Sequence, residues 1–194
     1  MTCLTYAIGL GSLKTVQKLH QVGANISLPA EWEIPRTPLQ AAAQAGSVNI
    51  VKYLLGQGVN PNEAPAKRAG GTALQLAAAK GHVGIAAALL DANAEINAKP
   101  AMLDGRTAFE GATEHGRIEM MLFLFHRGAN LLADESRQYR RAVQFAEDNL
   151  QHAAKELADE LHAKAMASVG TSYIGMGECG WTGFDMDDFT EFLP

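Results

Sequence analysis

The sequence predicts an all-α solenoid of helix-turn-helix units, on three observations. Thr2, Thr37, Thr72 and Thr107 stand 35 residues apart. Four more registers run in phase: Leu4, Leu39, Leu74 and Phe109; Ala7, Ala42, Ala77 and Ala112; Gly11, Gly46, Gly81 and Gly116; and Leu19, Leu54, Leu89 and Leu124. Within the period, Ile50, Val51, Leu54 and Leu55, then Ile85, Ala86, Leu89 and Leu90, fall at helical spacing. A unit of this length has one apolar face and buries it only against a neighbour, so the array is the fold.

Each unit opens on a Thr that caps a short helix, followed in one copy by Pro38 at the first turn. The short helix is rich in Ala, as in Ala41, Ala42 and Ala43 or Ala77, Ala78 and Ala79, because bulk there would push neighbouring units apart. A Gly ends it and a longer helix follows. Gly23, Gly58 and Gly128 close three of the longer helices, and Asn93, which tolerates the same left-handed conformation, stands in the third unit. The four units span 2–36, 37–71, 72–106 and 107–132, within a repeat domain over 1–132.

A closing helical pair is expected over 133–166. Arg141 to Ala146 loosely echo the short helix, and Ala153, Ala154, Leu157 and Leu161 give an apolar stripe. Gln151, Lys155, Glu156, Asp159, Glu160 and Lys164 supply the polar outer face that a terminal unit needs. No comparable cover precedes Thr2, where Tyr6 and Ile8 are expected at the edge; either that edge is tolerated or more chain before it supplies the cover.

The segment 167–194 changes character. It turns to Gly, Ser and Thr, has no Lys or Arg after Lys164, and ends with aromatics between acids: Trp181, Phe184, Met186, Phe189, Phe192 and Leu193 beside Asp185, Asp187, Asp188 and Glu191. Such a stretch cannot build a core and is expected to be a disordered acidic and aromatic tail on a Gly-rich linker. Met186, Phe189 and Leu193 would share one face if the tail became helical in a partner's groove. The composition also resembles the acidic-hydrophobic activation motifs of transcription regulators. A tail of this length can also reach its own fingers.

Thr37-Pro38-Leu39-Gln40-Ala41-Ala42 through Gly46, and Thr72-Ala73-Leu74-Gln75-Leu76-Ala77-Ala78 through Gly81-His82, resemble the T-P-L-H-x-A and G-H pattern of the ankyrin repeat family. The resemblance covers 2–132 and is weakest in the first and fourth units. The family's usual period is slightly shorter, which puts the extra residues in the connecting loops. It implies finger loops that project beside the short helices and form with them a concave, protein-binding face. By position, that face comprises Trp32, Glu33 and Arg36; Lys67 and Arg68; Met102, Leu103 and Arg106; and Gln44, Lys80, Glu114 and His115 on the short helices. It also implies a loop hydrogen bond from His82.

The bulk properties narrow the function. A net charge of −5 argues against direct nucleic-acid binding, which uses a basic stripe. No apolar stretch reaches the roughly 20 residues of a membrane-spanning helix. Cys3 and Cys179 do not make a disulfide framework, so a reducing compartment, cytoplasm or nucleus, is expected, and a monomer with it.

Two arrangements imitate chemistry. Gly175, Gly177 and Gly180 spell G-x-G-x-x-G, yet only fourteen residues follow, too few for the helix-and-strand unit that motif serves. His152, Glu156 and Glu160 share a helix face, but Glu160 beside Lys164 is ordinary helix decoration. No catalytic, metal or cofactor site is therefore expected. The sequence favours a non-enzymatic scaffold with a protein partner. The alternatives are a transcriptional regulator or cofactor that uses the tail, or the recognition end of a larger multidomain protein.

Overall fold

The computed structural model describes residues 2–30, 36–67 and 70–174. Trp32, Glu33, Arg68, Cys179, the G-x-G-x-x-G stretch and the tail residues Trp181, Phe184, Met186, Phe189, Phe192 and Leu193 lie outside them. Ten helices are described: α1 (Cys3–Gly9), α2 (Leu13–Gln21), α3 (Pro38–Ala45), α4 (Val48–Gly56), α5 (Ala73–Lys80), α6 (Val83–Asp91), α7 (Ala108–Glu114), α8 (Ile118–His126), α9 (Ala133–Asp148) and α10 (His152–Ile174). They form two parallel rows. The short helices α1, α3, α5 and α7 stack in order with α9 at the end, and α2, α4, α6 and α8 stack behind them with α10 at the end.

All four threonines at the 35-residue period are N-caps, and each builds a reciprocal capping box with the third helical residue: Thr5, Gln40, Gln75 or Glu110. At the other end of α3 and α5, Gly46 and Gly81 are left-handed, at φ 76° and 78°. A side chain there would also strike the next unit, because a Cβ on Gly46 would lie 2.9 Å from the His82 ring and one on Gly81 2.9 Å from Arg117. His82 therefore packs its ring over Gly46. The loop hydrogen bond expected of it is not made among the described residues, since the ring is turned onto the glycine. Asn93 adopts φ 66° where the other units carry Gly, so the third unit does end on the same left-handed stop.

The residues with helical periodicity form one continuous core: Ile50, Val51, Leu54, Ile85, Ala86, Leu89, Met120, Met121 and Leu124 are buried. Ile8 belongs to that core, while Tyr6 and Leu10 are the apolar residues exposed at the N-terminal edge. In the closing pair the buried stripe of α10 is Ala154, Ala158 and Leu161, spaced by four and three, with Leu157 packed beside it. Ala153 lies one position out of that phase and is exposed.

α10 runs to Ile174, beyond the boundary expected at 166. Residues 163–169 contain no helix breaker, and a lone Gly170 costs only about 1 kcal/mol against Ala in a helix. The entry to α9 also departs from the period. Where units three and four are preceded by fingers, the chain turns into α9 directly after Leu131. Asp134, Glu135 and Ser136 are left-handed in succession, at φ 50°, 56° and 62°. The Asn130 side chain accepts from the backbone N–H groups of Leu132 and Ala133, both at 3.0 Å, and steadies that turn.

Candidate functional site

The side of the stack that carries the fingers and short helices is built by one recurring residue, the third position of each capping box. Gln40 uses its Oε1 to accept from Thr37 N–H at 3.1 Å, and its Nε2 donates to the carbonyls of Glu63 and Ala64, both at 3.1 Å. Gln75 repeats this one unit on, accepting from Thr72 N–H at 3.0 Å and donating to the carbonyls of Ala98 and Lys99 at 2.9 and 3.1 Å. One amide thus caps its own helix and ties down the loop that leads into the next finger. The fingers also touch directly, since Leu103 N–H donates to the Lys67 carbonyl at 3.2 Å.

In the fourth unit this position is Glu110, which has no N–H to give. Its side chain is only 2 % exposed. One oxygen accepts from Thr107 N–H at 3.0 Å and the other lies 3.2 Å from Arg141 Nε on α9. Burial raises its pKa, opposed by the Thr107 N–H and by the positive charges of Arg141, Arg106 and Arg137. Arg141 also donates to the Gly105 carbonyl at 3.2 Å and so pins the base of the third finger.

Arg106 is held from several sides. Its Nε is 2.8 Å from Glu114, its NH groups reach the carbonyls of Asp104 and Gly105, and its guanidinium lies 3.8 Å over the Phe145 ring of α9. At the finger base a Cβ on Gly105 would lie 2.2 Å from Ala101 N, so only glycine permits this close return of the loop; Gly70 makes the same approach to Ala66. Between the third finger and α9 an open pocket of about 750 Å³ remains, walled by Lys99, Met102, Asp104, Arg137 and Arg141 with Glu110 behind.

Of the residues expected on the binding face, Lys67, Lys80, Met102, Leu103 and His115 are exposed, while Arg36, Gln44, Arg106 and Glu114 are half-buried. Burial pushes the pKa of Arg36 below its ordinary value. The structure joins Arg106 to Glu114 as an ion pair and brings the third finger against the second. The contributions of Gln40, Gln75, Glu110, Arg137, Arg141 and Phe145 went unread in the sequence. The signals were present: Gln or Glu three residues after a capping Thr marks a capping box, and Arg141 stands one period beyond Arg106.

Among the described residues no group of three His, Cys, Asp or Glu side chains could hold a metal ion, and no helix is long and apolar enough to cross a membrane. Glu160 and Lys164 form the helix-surface pair read from their spacing, at 2.6 Å.

A family model described as ankyrin repeats (3 copies) matches residues 4–100 and again 70–135. No curated protein matches the chain. The ankyrin repeat is a protein-protein interaction module. The 35-residue registers, the stacked helix pairs with their fingers and the family match coincide over more than half of the sequence, and the chain belongs to the ankyrin repeat family.

Proposed function

We propose that this protein is a non-enzymatic scaffold that holds a protein partner on its finger and short-helix face, acting as a monomer in the cytoplasm or nucleus. The observation that carries this reading is the third finger. Met102 and Leu103 are 86 % and 53 % exposed at its tip, yet its base is fixed by Gln75, Arg106 and Arg141. Large apolar side chains presented to solvent on a rigid support suit a partner's surface, because little order is lost on binding. Lys67 and Lys80 are exposed, and by repeat register they fall on the same face and would give it a positive rim suited to an acidic partner.

The test is affinity capture from native lysate with three full-length chains. The wild type is compared with a face variant, Met102→Glu with Lys80→Glu, and with a control on the second-helix side, Lys52→Ala with Glu119→Ala. Partners kept by the control and lost by the face variant, at unchanged melting temperature, are the expected result. Partners kept by the face variant and lost by the control would overturn the reading.

A further inference from the structure

We propose that the C-terminal segment 181–194 of this same chain docks along the outer edge of the third finger, in the place a fourth finger would occupy. The inference concerns an intramolecular contact on the same finger that the proposed partner would use, so tail and partner would compete for it.

The vacancy follows from the register. The Leu103 N–H of finger three donates to the Lys67 carbonyl of finger two at 3.2 Å. One period on, the same role falls to the Met102 carbonyl, which accepts no hydrogen bond among the described residues. The matching donor would be residue 138, which lies within α9 and in no finger. Finger three therefore ends the row with a Met102 carbonyl that takes no hydrogen bond among the described residues, two exposed apolar side chains and a pocket of about 750 Å³ between itself and α9. An extended segment completes such an edge by backbone pairing.

The charge of the pocket selects the occupant. The pocket wall carries Lys99, Arg106, Arg137 and Arg141 against Asp104, Glu110 and Asp134, a small positive excess; Arg106 and Arg141 are engaged by Glu114 and Glu110, whereas Lys99 and Arg137 make no ion pair among the described residues. The segment 181–194 carries Asp185, Asp187, Asp188 and Glu191 between Trp181, Phe184, Phe189 and Phe192, and no Lys or Arg. Carboxylates suit Lys99 and Arg137, and the aromatics suit Met102 and Leu103.

Reach is sufficient. α10 returns antiparallel to α9: Lys155 meets Glu147, Tyr139 donates to Asp159 at 2.9 Å, and His162 Nε2 is 2.9 Å from Ser136 Oγ beside the pocket wall. The Tyr139 and His162 rings stack at 3.9 Å and fix that register. From His162 the helix carries the chain twelve residues on to Ile174, about 18 Å. The eleven residues from there to Asp185 can span about 36 Å, enough to come back. A tethered segment meets this edge at a high effective concentration.

The test uses the full chain with a photo-crosslinking phenylalanine at position 102, and the same probe at position 52 on the second-helix side as control. At about 0.05 M salt, position 102 is expected to form adducts with 181–194 within one molecule, in a yield independent of protein concentration. The yield should fall several-fold at about 0.5 M salt, where charges are screened beyond a few ångströms, and in Arg137→Glu. Asp185→Lys with Asp187→Lys should restore it in Arg137→Glu. Adducts only between two copies, equal adducts from position 52, no adduct to 181–194, or a yield indifferent to salt and to Arg137 would each overturn the proposal.

Discussion

The joint between the third and fourth units and the joint between the fourth unit and the closing helices solve the same problem with different atoms. At the first, Gln75 caps α5 and donates two hydrogen bonds forward to the loop at Ala98 and Lys99. At the second, Glu110 caps α7 in the same way but can only accept, and α9 brings Arg141 to it. The difference teaches what kind of neighbour each side chain permits. An amide needs carbonyls from a following loop, so it goes with a finger. A buried carboxylate needs a cation, so it goes with a helix that carries one. Replacing one amide by an oxygen marks where the row of fingers stops, and leaves the third finger with a free edge.

The comparison can be broken at several points. The largest effect lies in the core that both joints share. Leu89→Ala removes a side chain that is 0 % exposed and should cost about 2–5 kcal/mol in urea denaturation, with α4 and α8 loosening together. An unchanged midpoint would show that the packed face is misassigned. Next comes the amide joint: Gln75→Ala loses the acceptor for Thr72 N–H and two hydrogen bonds donated to the part-buried Ala98 and Lys99 carbonyls, and about 1–3 kcal/mol is expected. If Gln75→Ala is neutral while the fold is intact, the forward tie does not matter.

Arg141→Ala tests the charged joint. A fully buried pair broken on one side costs about 3–5 kcal/mol, but Arg141 is 34 % exposed and water can partly replace it, so about 1–3 kcal/mol is expected at pH 7. The loss should shrink near pH 4, where a protonated Glu110 needs no cation. A loss that is constant with pH would mean that Arg141 acts only through Gly105 or Phe145.

The smallest effect is a sign. Because burial raises the pKa of Glu110, the folded chain holds that proton more tightly than the unfolded chain. Ionisation then works against folding, absent below the unfolded value of about 4.3 and fully present above the folded one. Glu110→Gln should therefore gain in melting temperature relative to wild type between pH 4 and pH 7. A shift in the opposite direction would show that the three arginines outweigh burial.

The repeated part was legible because Thr, Leu, Ala and Gly each answer to a local requirement that recurs every 35 residues: a cap, a packed side chain, a close contact and a left-handed turn. Ala153 and Ile8 show the limit of that reading, since a helical stripe fixes which residues share a face but only packing fixes its phase to within one position. The missing fourth finger was harder to see. Asp134, Glu135 and Ser136 turn left-handed with no glycine to announce it, and such residues carry about 1–2 kcal/mol each of strain that the Asn130 and Ser136 contacts hold in place. The proposed binding face rests on register alone. That Arg106 is already committed to Glu114 and Phe145, while Lys67 and Lys80 are exposed, depends on three-dimensional contacts that no spacing encodes.

The most direct measurement is hydrogen-exchange mass spectrometry of the full chain with and without a captured partner. Slower exchange over residues 96–106 and the ends of α5 and α7, with α4, α6 and α8 unchanged, is the predicted footprint. Protection confined to the solvent side of α4, α6 and α8 would contradict the account, because the partner would then sit on the row of helices opposite the fingers.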